Sequence, residues 1–280
     1  MTINLFSGHL HKMYTQDGQG QPVQYQLVLG ETDIPMNPLI GKKITLRHTG
    51  VINCSHCGRK TKKSYSQGYC YPCFKSLAQC DTCIMSPEKC HYHAGTCREP
   101  EWGEQFCFQD HIVYLANSSG LKVGITRETQ VPTRWMDQGA IQALPILRVS
   151  TRLQSGLVED IIRQHTSDRT NWRNMLKGIV DEIDLLAERD RLLALCADQL
   201  AALQQEYGVD AIYTLPDARP FIFHYPVQEH PEKVTALNLD KTPEIEGVLK
   251  GIKGQYLILD TGVLNVRKFN AYHVELSVAS

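Results

Sequence analysis

Nine of the ten cysteines in this 280-residue chain lie between Cys54 and Cys107, and only Cys196 falls outside. So dense a run of thiols, in a stretch without a long hydrophobic period, needs cross-links or metal ions to hold a shape. The opening Met1-Thr-Ile-Asn-Leu-Phe-Ser-Gly8 lacks the basic and apolar regions of a secretory leader, and no run approaches about 18 apolar residues. No signal peptide and no membrane span are therefore expected, and the expected location is the reducing cytoplasm. There, clustered cysteines read as metal ligands rather than disulfides.

The spacing assigns ligands. Cys54-Ser-His-Cys57 and Cys70-Tyr-Pro-Cys73 form CxxC-x12-CxxC, two tight knuckles whose four thiolates can close a tetrahedron around a structural zinc ion. Cys80, Cys83, Cys90 and His93 form CxxC-x6-CxxH, which offers a second zinc set; mixed Cys/His ligation favours zinc over an iron–sulfur cluster. Cys97, Cys107 and His111 remain, with His91 unassigned. They leave open a further site or another partition. Cys196 reads as a small buried core residue.

The formal net charge of −1 hides an uneven distribution. Between Asp33 and Asp81 there is no acid, while Lys42, Lys43, Arg47, Arg59, Lys60, Lys62, Lys63 and Lys75 contribute a local charge of +8. Tyr65, Tyr69, Tyr71 and Phe74 are interleaved. Basic residues beside aromatics suit phosphate contact and base stacking, so Arg59, Lys60, Lys62 and Lys63, in the loop between the knuckles, are the expected nucleic-acid contacts. The plainer alternative is a solvated basic surface with tyrosines packed against a metal site.

Length suggests about two domains of about 150 residues, but the pattern gives more modules. Residues 1–53 read as β, with strands at Thr2–Tyr14, Val23–Gly30 and Lys43–Ile52. Residues 54–110 are the Cys-rich, zinc-ribbon-like insertion. Residues 111–178 alternate strands and helices. Residues 179–208 hold one long amphipathic helix, its stripe Leu186, Leu193, Leu200 and Tyr207 recurring every seven residues. Residues 209–280 are a linker and then strands at Tyr256–Asp260, Val263–Phe269 and Tyr272–Val278. Neither end has enough strands for a stable sheet, so the two ends are expected to pair into one small barrel-like domain. The fold class is α+β.

Within residues 111–176, the strand His111–Ala116, the turn Asn117–Gly120, the strand Leu121–Thr126, a short helix opened by Pro132, the strand Leu144–Ser150 and a helix through Leu157–His165 give the order ββαβα. This order resembles the GIY-YIG nuclease superfamily, most of all its phage-associated branch, in which the second motif reads Lys-Ile-Gly. Ile112-Val113-Tyr114 is similar to the first motif and Lys122-Val123-Gly124 to the second. Arg134 matches the helix arginine, Glu159 the metal-binding glutamate, and the stretch from Glu159 through His165 to Trp172 that branch's ending. The whole chain also resembles an uncharacterised bacterial family, through Cys90-His-Tyr-His93, Gly95–Gly103, Val113–Arg127 and Gly254–Ile258.

The nuclease resemblance implies phosphodiester hydrolysis. Tyr114 would be the base or its positioner, Lys122 would lower the pKa of Tyr114, Arg134 would neutralise the phosphate, and Glu159 would hold one Mg2+ or Mn2+. Lys122 in place of the second tyrosine removes one usual participant. The plain alternatives are a packed Tyr114, solvent-facing Lys122 and Arg134, and an ion pair between Glu159 and Arg163. Three functions follow: a metal-dependent nuclease acting on DNA or RNA, a non-catalytic nucleic-acid-binding scaffold attached to RNA processing or the ribosome, and an interaction module, monomeric or dimeric through the 179–207 stripe.

Overall fold

The computed structural model describes residues 4–279. Five strands open the chain: β1 (Asn4–His9), β2 (Tyr14–Gly18), β3 (Gln21–Leu29), β4 (Thr32–Pro35) and β5 (Lys43–Ile52). The Cys-rich segment holds two short helices, α1 (Tyr71–Ser76) and α2 (Pro100–Cys107), joined by 3-10 turns. Then come β6 (His111–Asn117), β7 (Leu121–Arg127), α3 (Thr133–Asp137), β8 (Gln142–Val149) and α4 (Arg152–Ile162), in the expected ββαβα order. Three further helices follow, α5 (Trp172–Lys177), α6 (Leu185–Leu195) and α7 (Ala197–Tyr207). The chain closes with β9 (Ile212–Thr214), β10 (Phe221–Ile222), β11 (Glu244–Lys253), β12 (Tyr256–Leu259), β13 (Gly262–Asn265) and β14 (Tyr272–Val278).

The two ends of the chain do share one sheet, in the order β1-β14-β5-β11-β12-β13. Alternation drives it: Tyr272, Val274, Leu276 and Val278 are buried on one face of β14, and Leu276 lies opposite Leu46 of β5, which in turn faces Ile245 of β11. The sheet stays open, with β1 and β13 at its edges, so the expected barrel is not closed. Instead β2, β3 and β4 leave it to form a three-stranded sheet of their own. The strand expected at Val263–Phe269 also stops early, at Asn265, whose side chain accepts from Lys268 N and starts a 3-10 turn over Val266–Phe269.

The second sheet has the order β10-β8-β6-β7, with β9 also on β8, so β6 lies between its two antiparallel partners. Every residue of β6 is buried, because both faces are covered. Ile112, Tyr114 and Ala116 join Trp135, Met136 and the end-to-end sheet in one core. Val113 and Leu115 face the other way, against Val158 and Ile162 of α4. A capping box between Thr151 and Gln154 fixes the start of α4.

The single 179–207 helix is two helices. Residues before Leu185 are not helical, Asp184 caps α6, and the backbone turns at Cys196 (φ −100°, ψ 4°) before α7 begins. Leu186, Leu193, Leu200, Leu203 and Tyr207 pack into the core beneath the second sheet together with the buried Cys196. The stripe offered for dimerisation is thus used within the chain. Among the described residues no helix is long and apolar enough to cross a membrane.

Candidate functional site

Cys54 and Cys57 sit in a tight turn in which Gly58 N donates to Cys54 O, and Cys70 caps α1, which carries Cys73. All four Sγ atoms lie within 4.8 Å of one another, and those of Cys57 and Cys70 are 3.8 Å apart. A tetrahedral ion with bonds of about 2.3 Å needs sulfurs about 3.8 Å apart, so the set fits zinc. Burial raises the Cys54 thiol, but backbone N–H groups of Cys57, Cys70 and His56 outweigh it and bring the group to about 6. Cys73 moves the other way, raised by burial and by its neighbouring thiols. Four thiols this close cannot all ionise alone; a dication lets them.

The second set is not assembled as the spacing suggested. Cys80 packs beside the first site, in one buried cluster with Cys54, Cys70, Cys73 and Leu77. His93 lies edge-on to Tyr92 and Phe108 instead. The reason is the 3-10 turn over Ala78–Cys80, which buries Cys80 toward α1, while a second turn over Thr82–Ile84 redirects the chain and Cys83. Cys83 and Cys90 share one small cavity with Cys97 and Cys107, two residues the spacing had set apart. Asp81, Cys83 and His91 also come within 4.8 Å of one another. Asp81 is already engaged there, accepting from Thr82 N at 2.6 Å and Arg98 Nε at 2.8 Å, and His91 Nδ1 lies 2.8 Å from Thr96 Oγ1. His111 is fully buried. Its Nδ1 lies 2.7 Å from Gln109 O, its Nε2 has no hydrogen-bond partner, and burial holds it down to about 4. It belongs to none of the close ligand groups among the described residues.

In the ββαβα core, antiparallel register puts Tyr114 opposite Gly124 and Ala116 opposite Lys122, so Tyr114 and Lys122 share a face. Gly124 is needed for space: a Cβ there would lie 2.7 Å from both Cζ and Oη of Tyr114. The Tyr114 hydroxyl donates to Gln138 Oε1 at 2.9 Å, and Lys122 Nζ donates to the same oxygen at 2.8 Å. Tyr114 is 0% exposed and Lys122 5%. Burial raises the Tyr114 hydroxyl above its ordinary range, against the lowering charge of Arg134. Desolvation outweighs the nearby cations, so burial favours the protonated, donating form of the Tyr114 hydroxyl. Lys122 is itself held down to about 8 by burial and by Arg134, with Glu159 and Asp168 opposing.

Arg134 on α3 and Glu159 on α4 are partly exposed, and both act electrostatically on Tyr114 and Lys122. The Glu159–Arg163 ion pair, the plain alternative to a metal role for Glu159, does not form. Arg163 pairs with Asp160 instead, and Glu159 has no ion pair among the described residues. Its carboxyl is raised to about 7, by burial first and then by Asp168. Gln138, the shared acceptor, was not read from the sequence; nothing but its position just after α3 distinguishes it.

Arg59, Lys60, Lys62 and Lys63 are carried on the knuckle hairpin, all four exposed to solvent. Lys62 and Lys63 line a cleft of about 650 Å³ whose other wall carries Asn265, Arg267 and Lys268 from the turn after β13. Arg59 and Lys60 do not line it. The one acid on the cleft, Asp240, accepts from the Tyr272 hydroxyl at 2.7 Å. Arg267 is close enough to Arg134 for each charge to bear on the other. Of the interleaved aromatics, Tyr65 stacks on Phe74 and meets Tyr71 edge-on, while Tyr71 stays 55% exposed.

No curated protein and no solved structure matches the chain. Residues 41–274 match the family model described as protein of unknown function (DUF2797), a span that takes in the knuckles, the ββαβα core and the first part of β14, and the chain belongs to that family.

Proposed function

We propose that this protein is a zinc-containing nucleic-acid-binding protein whose ββαβα core is a GIY-YIG-like site for divalent-metal-dependent cleavage of DNA or RNA. The observation that carries this reading is the basic cleft. Lys62 and Lys63 from the zinc hairpin meet Arg267 and Lys268 from the far end of the chain, and Arg267 lies within electrostatic reach of Arg134 of the core. A phosphate backbone lying in that cleft would be led toward Arg134, Lys122 and Glu159. Arg134 would neutralise the phosphate, and Lys122 would add positive charge. Glu159 would hold Mg2+ or Mn2+ through oxygen; such an ion supplies charge stabilisation of the leaving oxygen. Tyr114 would act as a positioning residue through Gln138. The knuckle zinc would be structural, since four thiolates leave no open position. The division into a two-ended β domain, a Cys-rich module and the core, and a cytoplasmic location, belong to the same reading.

A second reading has its own support. Tyr114 is fully buried, and that burial raises its hydroxyl, which suits a scaffold that binds without cutting. One experiment separates the two: purified protein with Mg2+ or Mn2+ on single- and double-stranded DNA and RNA, beside Glu159→Ala. Cleavage lost in the variant with binding retained supports the nuclease. Binding without cleavage in either protein supports the scaffold. Cleavage equal in both would be contamination, and the nuclease reading would fall.

A further inference from the structure

We infer that Cys83, Cys90, Cys97 and Cys107 hold a polynuclear iron–sulfur cluster, not a second single zinc ion. The four come from separate pieces of chain: the 3-10 turn over Thr82–Ile84, the residue after the turn over Pro87–Lys89, the loop before α2, and the last residue of α2. No two of them share a CxxC knuckle, the device that places a pair of thiolates on one small ion at the first site. Yet all four line one cavity, with Tyr92 and Trp102 among its walls.

Spacing separates the two chemistries. At the knuckle site all four sulfurs lie within 4.8 Å of one another, the arrangement one tetrahedral ion imposes. Of Cys83, Cys90, Cys97 and Cys107, no three do so. An iron–sulfur cluster takes four cysteines and sets several irons and bridging sulfides between them, so it needs a wider cage with room inside. The four cysteines line one small cavity of about 20 Å³, so the side chains face a shared space rather than packing apart. Asp81 and His91 also lie near Cys83, but Asp81 is engaged by Arg98 and His91 lies against Thr96, so the four cysteines are the donors left, without the Cys/His mixture that favoured zinc.

Charge supports the assignment independently. A four-thiolate cluster is anionic, and two arginines sit beside it: Arg152 acts on Cys83 and Cys107, and Arg127 acts on Cys107. The Arg152 Nε is buried and has no hydrogen-bond partner, although another nitrogen of the same guanidinium donates to Ile84 O. A buried donor without an acceptor is costly, and a cluster sulfur would satisfy it.

The test uses the full chain, purified without oxygen and then reconstituted with iron and sulfide. Iron, acid-labile sulfide and zinc are counted, and the visible spectrum is recorded. The expected result is one zinc per chain together with equal amounts of iron and sulfide, about two or about four of each, and a broad sulfide-to-iron absorption. Cys83→Ser and Cys107→Ser should lose iron and sulfide and keep the zinc, which also shows that these variants still fold. Cys57→Ser should do the reverse. Arg152→Gln should shift the visible spectrum at unchanged iron content. A second zinc that disappears in Cys83→Ser, or no metal beyond the first zinc after reconstitution, overturns the inference.

Discussion

At the scale of single residues, Gly124 and Glu159 make the sharpest demands. Gly124 leaves its space to the Tyr114 ring, since a methyl carbon on its Cα would fall 2.7 Å from Cζ. Gly124→Ala should therefore overpack the core and lower stability by about 1–3 kcal/mol, seen as a lower urea midpoint at unchanged slope. Glu159 makes a pH claim. Its folded carboxyl is raised from the ordinary 4.5 to about 7. Between those values the folded state keeps a proton that the unfolded chain releases, so this group's contribution to metal-free stability declines as pH rises through that window. A divalent ion must displace the same proton. Mn2+ affinity should climb up to about pH 7 and then level off, while Glu159→Gln should abolish the climb. Calorimetric titration with Mn2+ at several pH values checks this; a flat profile in the native chain would count against Glu159 as the ligand. The sequence named Tyr114, Lys122, Arg134 and Glu159 through a motif, but not Gln138, because a hydrogen-bond acceptor shared by two distant side chains has no local pattern.

At the scale of elements, α4 joins the Cys-rich segment to the core. It begins at Arg152, beside Cys83 and Cys107, and carries Glu159 two turns later. Its Gly156 lies flush against the turn over Pro87–Lys89, where a Cβ would come within 2.5 Å of Glu88 N and 2.7 Å of Pro87 Cβ. A backbone nitrogen and a proline ring have little freedom to yield. Gly156→Val should loosen the Cys-rich module from α4, with faster proteolysis within residues 80–110 and little change in cleavage elsewhere; an unchanged digestion pattern would refute that contact. Strand periodicity was the most legible feature at this scale: β5 and β14 have the bounds their alternation predicts. Helix continuity was less so. Leu192, Cys196 and Leu200 keep one apolar face across the bend at Cys196, and no Gly or Pro marks it. Periodicity records which side is buried, and a bend that preserves the side leaves no trace in it.

For the whole molecule, the basic cleft is the feature that unites distant segments. Lys62, Lys63 and Lys268 to Ala together should weaken binding to a DNA or RNA duplex uniformly over sequence. The slope of log affinity against log salt should flatten by about 2–3, as about three phosphate contacts are lost. An unchanged slope would count against nucleic-acid binding in this cleft. The cleft depends on the meeting of both chain ends, and Gln255, beside Lys12 and Thr15, which both donate to Asp137, fastens that junction to the core. Gln255 exchanges hydrogen bonds with Met13 N at 2.7 Å and Met13 O at 3.0 Å, and reaches Asp137 at the end of α3 at 2.9 Å. The sequence alone determined the α+β class, the pairing of the two ends, the ββαβα order and the gathering of the four knuckle cysteines. These rest on short-range spacing and on the inability of a few strands to stand alone. Only the tertiary structure decided that the end-to-end sheet stays open, that Cys80 leaves Cys83, that Cys97 and Cys107 join it, and that Arg267 and Lys268 face the hairpin. Each of those depends on which surfaces pack across long loops, and a side chain's partner over such a distance is set by burial of the whole, not by its neighbours in the chain.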